Sequence, residues 1–305
     1  MSISRLLLLV SCFCPILLKA QQETPHSFGV KIFGQGKPMI LIPGLKGDGE
    51  GTYATTIAHY KDHYTCYVIT LAGFAGQPTS GRTAGVLLGQ RDELLRYIKE
   101  QQLKKPVLVG FSFGGVLALW MASAAPDLFG PVIDIDGAPY EAALGVDNLN
   151  EDSLQKRTAG MLNYINHATP AMVAKYDSAQ HSPEGEKRGF EFLKSMIQDT
   201  TQIPLVLYWD RKSDILSTGR MINEMTLLNL QDSIAAISSP VLVLGSWNGD
   251  PTFTSRGQAE SAMKRQFAKV SKVTIVYSEQ GKHFLMWNDF DWYIGQIDNF
   301  LSKKK

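Results

Sequence analysis

Cysteine is scarce in this chain of 305 residues, with three in all, and two of them, Cys12 and Cys14, stand within the first fourteen positions. If that leading segment is removed, Cys66 is the one thiol left, no internal disulfide can form, and the fold must be held by its core. An excess of charge of one sign is also missing. Thirty Lys and Arg face 29 Asp and Glu, a formal net charge of +1, so no field exists that would gather a polyanion, which argues against a nucleic-acid partner. There is no unbroken apolar run of the roughly 20 residues that a membrane span requires. No Gly-rich phosphate cradle of the Walker or dinucleotide type and no Cys–His metal set is present, so neither cofactor nor metal is expected. His59 and His63 are four apart, yet His-Tyr-Lys-Asp-His lacks the glutamate of a zinc-binding helix and a third ligand, and both read as surface histidines. What remains is an ordinary globular composition, 44% hydrophobic and 19% charged, long enough for one large domain or one domain carrying an insertion.

Residues 1–20 read as an address. Arg5 precedes the apolar run Leu6 to Val10 and its continuation to Leu18, and Ala20 offers a small residue for cleavage. The apolar part is short and is interrupted by Pro15, the form of a secretory signal, so the mature chain is expected to be exported, periplasmic or secreted. Removing Arg5 and Lys19 leaves 28 basic against 29 acidic residues and no new field. A rival reading takes Leu9-Val10-Ser11-Cys12 as a lipobox, with Cys12 lipidated and the protein tethered to a membrane. Cys66, inside Cys66-Tyr67-Val68-Ile69, reads as a buried and inert thiol.

From residue 28 onward, short apolar runs alternate with amphipathic stretches, the pattern of parallel strands joined by crossover helices. Seven strands are expected, at 28–33, 38–42, 67–71, 106–111, 131–135, 240–245 and 273–277. Helices are expected over 85–102, 113–125 and 290–301, where apolar residues recur at helical spacing. Between Ala138 and Ser239 the rhythm breaks into helix-like, Met-rich and charged segments. That stretch reads as an insertion into a core made of 21–137 and 240–305.

The chemistry is concentrated in Pro106-Val107-Leu108-Val109-Gly110-Phe111-Ser112-Phe113-Gly114-Gly115. A strand meets a helix there through Gly-x-Ser-x-Gly, a turn so tight that the flanking positions must be small, and it pushes the serine hydroxyl into the open at the positive end of the helix. A serine needs a base, and that base needs an orienting acid. Of six histidines, His283 alone stands in a loop after the last expected strand, in Gly281-Lys282-His283-Phe284. The acid should end a strand before it. Asp250, in Gly245-Ser246-Trp247-Asn248-Gly249-Asp250, is the first choice, and Asp136, ending Ile133-Asp134-Ile135-Asp136, is the alternative. Asp134 reads as a buried or capping group. An oxyanion needs preorganised N–H donors, and Ile42-Pro43-Gly44-Leu45 supplies a loop from which the Leu45 N–H joins that of Phe113. Phe111 and Trp247 are expected to touch substrate, alongside Phe113. Met161, Tyr164, Met172, Tyr176, Phe190, Phe192, Met196, Tyr208 and Trp209 either line an apolar acyl pocket or form the core of the insertion itself.

Taken together, Ile42-Pro43-Gly44-Leu45, the Gly110–Gly115 elbow, Asp250 and His283 in that order resemble the α/β-hydrolase superfamily across residues 28–303. The resemblance implies a mostly parallel eight-stranded sheet with helices on both faces and a helical cap at 138–239. It also implies a serine hydrolase working through an acyl-enzyme on a small molecule, here a small or medium apolar ester. Asp250 departs from the family pattern, which puts the acid three residues after the strand's terminal glycine, at Asn248. An amide hydrolase removing N-terminal residues is the rival of the same class, with Glu141, Asp210 or Asp214 available to hold an amine. A non-catalytic binding protein that kept the fold is the rival of another class.

Overall fold

The seven apolar runs become seven strands in the computed structural model, which describes residues 26–302 apart from Asp147, Gly249 and Pro251. The expected signal at 1–20, Cys12 included, lies outside the described residues. The strands are β1 Gly29–Gly34, β2 Lys37–Ile42, β3 Tyr64–Thr70, β4 Val107–Phe111, β5 Val132–Ile135, β6 Val241–Gly245 and β7 Val273–Tyr277. They form one sheet in the order β1-β3-β2-β4-β5-β6-β7. Only the β1–β3 pair is antiparallel; every other pair is parallel. The expectation of eight strands is corrected to seven among the described residues. The edge is closed by β1, whose Lys31 is exposed and carries a charge that discourages further strand pairing.

Parallel strands need long crossovers, and helices supply them. In chain order they are α1 Gly49–Tyr60, α2 Val86–Glu100, α3 Phe113–Ala124, α4 Glu151–Asn166, α5 Pro170–Gln180, α6 Pro183–Met196, α7 Ile203–Lys212, α8 Ile215–Leu227, α9 Arg256–Gln266, α10 Leu285–Asn288 and α11 Phe290–Ser302. Side chains alternate across the sheet, as a two-residue period requires. Ile40 and Ile42 of β2, Leu108 of β4 and Val241 and Val243 of β6 join one core with α2, α3 and α9. Met39 and Leu41, Val107 and Val109, and Leu242 and Leu244 join the other with α1, α10 and α11. Both faces are covered, so the central strands are apolar throughout, and each fully buried Val, Leu or Ile stabilises by about 1.5–3 kcal/mol. Cys66 is buried, and burial pushes its thiol up to about 11, which makes it a poor nucleophile.

The stretch from 138 to 239, between β5 and β6, contributes α4 to α8 and no strand among its described residues. Its helices begin on side-chain caps: Asn150 accepts from Ser153 N–H, Thr169 from Met172, Ser182 from Gly185 and Asp214 from Ser217. Polar contacts fasten it to the sheet-bearing part. Glu224 of α8 accepts the N–H groups of Val86 and Leu87 at 2.9 and 2.7 Å, satisfying the first turn of α2. Among the described residues no helix is long and apolar enough to cross a membrane.

Candidate active site

The elbow is built by backbone proximity. Ser112 has φ 52° and ψ −117°, a left-handed conformation that costs a non-glycine residue energy and is held here by its surroundings. Its N–H donates to Ile135 O at 2.7 Å, and its own carbonyl accepts from Gly115 and Val116 at 2.8 and 3.1 Å. The glycines on either side are obligatory. A Cβ on Gly110 would stand 2.1 Å from Gly114 O, and one on Gly114 would stand 2.3 Å from Ile42 O and 2.5 Å from Pro43 O. The second clash shows how closely the end of β2 passes over the elbow. That contact brings the Pro43-Gly44-Leu45 loop beside the start of α3, and Phe113, as first residue of that helix, has an N–H without an intrahelical acceptor. Among the described residues the N–H of Leu45 likewise meets no acceptor.

Ser112 and His283 share the walls of two adjoining chambers. His283 follows β7 in a loop tied at Ser278, whose Oγ accepts Gly281 N–H at 2.6 Å and donates to Asp289 at 2.5 Å. The His283 ring lies 4.9 Å from that of Phe111 and 5.8 Å from that of Phe284, centroid to centroid. Its Nδ1 donates to Asp136 Oδ2 at 2.6 Å. The imidazole is thus paired with Asp136, where the sequence puts Asp250 first. Asp136 sits just beyond β5 with φ 56°, and Ser246, just beyond β6, holds it from the other side. The Ser246 N–H donates to Oδ1 at 2.7 Å and its hydroxyl to Oδ2 at 2.6 Å. Asp250 lines the same chamber but spends one carboxylate oxygen on the N–H of Thr252, at 2.8 Å.

The electrostatics follow from that pairing. Burial alone would lower the His283 pKa. The hydrogen bond and charge of Asp136, with the charges of Glu141 and Asp250, outweigh it and raise the value above 6.5. With the Nδ1 proton engaged by a carboxylate, Nε2 is the nitrogen left to take a proton. Glu141 is raised to about 7, chiefly by burial, against the lowering effect of the Ala138 N–H that it accepts and of His283. Asp134, fully buried behind the elbow, is held well above the carboxylate range, first by burial and then by Glu141 and Asp136. It receives the Gly137 N–H at 3.2 Å, and its full burial agrees with its reading as a buried group.

The two chambers differ in character. One, of about 290 Å³, has a mixed wall that carries acids, with Asp136, Glu141, Ser195, Asn248 and Asp250 beside Leu144, Phe253, Met263 and Tyr277. The other, of about 380 Å³, is walled by Phe111, Leu193, Val206, Leu207, Trp209 and Phe284, with Phe192 and Met196 facing both. Of the residues expected to touch substrate, Phe111 is at the apolar wall. The Phe113 side chain is in the core, 5.6 Å from the ring of Phe74, and Trp247 lines neither chamber. Met161, Tyr164, Met172 and Tyr176 line a separate groove on α4 and α5. Asp214 is engaged as the α8 cap and Asp210 as the partner of Lys46, whereas Glu141 faces the acid-bearing chamber. Ser246 was missed by sequence reasoning. Its hydroxyl, one residue beyond a buried strand that neighbours β5, is the signal that favours Asp136. His59, four residues from His63, donates from Nε2 to Asp298 Oδ2 on α11 at 3.0 Å.

Comparison with known proteins bears on the family and the fold. Residues 39–295 match the family model described as "Alpha/beta hydrolase family". A pimeloyl-[acyl-carrier protein] methyl ester esterase of Aliivibrio fischeri is 26% identical over 272 residues, covering 88% of this chain and 95% of that protein. Among solved structures, a meta-cleavage product hydrolase from Pseudomonas fluorescens superposes with a TM-score of 0.64 at 14% identity, covering 91% of this chain and 95% of that one. An esterase of a marine microorganism gives a TM-score of 0.58 at 20% identity, with coverage of 90% and 99%.

Proposed function

We propose, from the premise that this chain belongs to the alpha/beta hydrolase family, that it is an exported serine hydrolase that cleaves carboxylic esters through an acyl-enzyme. The observation that carries the reading is the 2.6 Å bond from His283 Nδ1 to Asp136, made beside a Ser112 held at φ 52° in the same chamber. His283 Nε2 takes the Ser112 hydroxyl proton as Oγ attacks the ester carbonyl. The N–H groups of Leu45 and Phe113 hold the oxyanion of the tetrahedral intermediate. The imidazolium, stabilised by Asp136, returns its proton to the departing alcohol, and water activated by the same nitrogen then releases the acid and frees Ser112.

The contrast between the chambers gives the substrate a direction. The acyl part belongs in the apolar chamber and the alcohol part in the acid-bearing one. Esterases among the relatives support the choice of an ester, and the helices of 138–239 act as the cap that closes over it. A cationic amine in the leaving part would meet Glu141 and Asp250, which is the observation favouring amide hydrolysis as the second reading.

Labelling by a fluorophosphonate, followed by intact mass, tests the proposal. Wild type should take one adduct and Ser112→Ala none. Wild type should then turn over p-nitrophenyl esters faster than the matching p-nitroanilides, and Ser112→Ala should lose activity by about 10⁴-fold or more. Folded wild type that takes no adduct and hydrolyses neither compound would sink the reading, and a preference for anilides would move it to amides.

A further inference from the structure

Ile222 of α8 lines the apolar chamber beside Ser112 and also lines a second cavity. That cavity is a groove of about 390 Å³ between α4, α5 and α8. Ile222 is the one described residue common to the walls of the groove and of the Ser112 chamber. On the far side, Met161, Tyr164 and Tyr176 line the groove while remaining 49%, 55% and 52% exposed. Three large apolar side chains left half in water around one depression call for an occupant.

The size of the groove says what kind. At about 390 Å³ it falls in the range of roughly 300–1,000 Å³ typical of small-molecule sites. The wall it shares with the serine chamber at Ile222 says where the occupant is attached. We infer that the substrate, on the serine-esterase reading above, carries a linear acyl chain long enough to pass Ile222 and rest its far end in the α4–α5–α8 groove. Ile222 is thereby the residue that sets chain-length preference.

The wall that carries Ile222 is fixed. Glu224, two residues on, is bonded to the start of α2, and Met221 is buried in the sheet-side core. Arg220 Nε donates to Asn166 Oδ1 of α4 at 2.9 Å, and Gly219 lets Ile165 approach to 3.0 Å of where a Cβ would be. With α8 held on both sides, passage depends on the volume of one side chain rather than on movement of the helix.

The experiment compares kcat/KM for p-nitrophenyl dodecanoate and hexanoate, both below their micellar concentrations. Wild type should favour dodecanoate, since each additional covered methylene contributes about fourfold. Ala168→Trp fills the groove at the α4–α5 turn and Ile222→Trp seals the passage. Each should lower the dodecanoate-to-hexanoate ratio at least tenfold, and Ile222→Ala should raise it. Because the readout is a ratio, partial loss of folded enzyme does not affect it. Ratios within twofold of wild type for both Trp variants, or a wild type that prefers hexanoate, would overturn this inference alone. A wild type that hydrolyses neither ester and takes no fluorophosphonate would overturn the serine reading and this inference with it.

Discussion

The elbow region and the helical stretch from α4 to α8 are built on opposite terms. In β4 every residue is buried, and nine of the twelve residues of α3 are buried too. In α5 none is buried, and in α4 only Leu154 and Thr158 are. At the elbow, backbone touches backbone, so there is one solution and glycine is compulsory. In α4 and α5 the chain is held by end caps and few polar ties, among them Arg220 with Asn166 at the end of α4. The proposed function puts chemistry that tolerates little positional error in the first region and substrate recognition in the second.

The sharpest way to test this division is at the acid. Asp136→Asn keeps the shape but removes the charge that orients and stabilises the imidazolium, and kcat should fall by about 10³-fold or more. Asp250→Asn should cost less than tenfold. Steady-state turnover of one ester by the two variants decides the matter, and a larger loss for Asp250 would reverse the assignment. Next comes the contrast between two glycines, read by thermal or denaturant unfolding. Gly110→Ala forces a methyl to within 2.1 Å of a backbone oxygen and should destabilise by about 3 kcal/mol or more. Gly160→Ala, on exposed α4 with nothing near, should stabilise by about 0.5–1 kcal/mol. A neutral Gly110→Ala would remove the claim that backbone approach sets the elbow.

The smallest expected effect is on the pH profile. His283 acts as a base only when neutral, and its pKa is raised, so kcat/KM should decline as pH falls through a midpoint above 6.5. Glu141→Gln removes one of the carboxylates that raise it and should move that midpoint downward. An unchanged or higher midpoint would show that Glu141 does not bear on the imidazole.

The inner strands were legible because burial on both faces leaves an apolar signature that needs no knowledge of neighbours; the edge strands β1 and β7 are less buried, yet they too fall where the runs stand. Ser112 was legible because its glycines are demanded by the chain passing over itself locally. His283 was legible from its place after the last strand. The acid was not, because the choice between Asp136 and Asp250 is made across strands. It depends on Ser246 of the β6 end reaching Asp136 at the β5 end, and no count of residues along one loop records that. Trp247 misled for a related reason: nearness to the acid loop in sequence does not decide which way a side chain faces. The aromatic and Met residues of 138–239 divide mainly between the serine chamber, the groove on α4 and α5 and, for Tyr208, the exposed surface, and periodicity cannot make that division.

Because the partner of His283 arrives on β5, the turn after β6 is released from supplying it and keeps only the anchoring duty of Ser246. Asn248 and Asp250 nevertheless remain in the wall of the chamber that holds Glu141. On the proposed mechanism, the part of this turn beyond Ser246 can be lengthened, shortened or recoded while the paired imidazole stays in place, so this is where natural drift or directed evolution can change the accepted leaving group without first having to rescue catalysis.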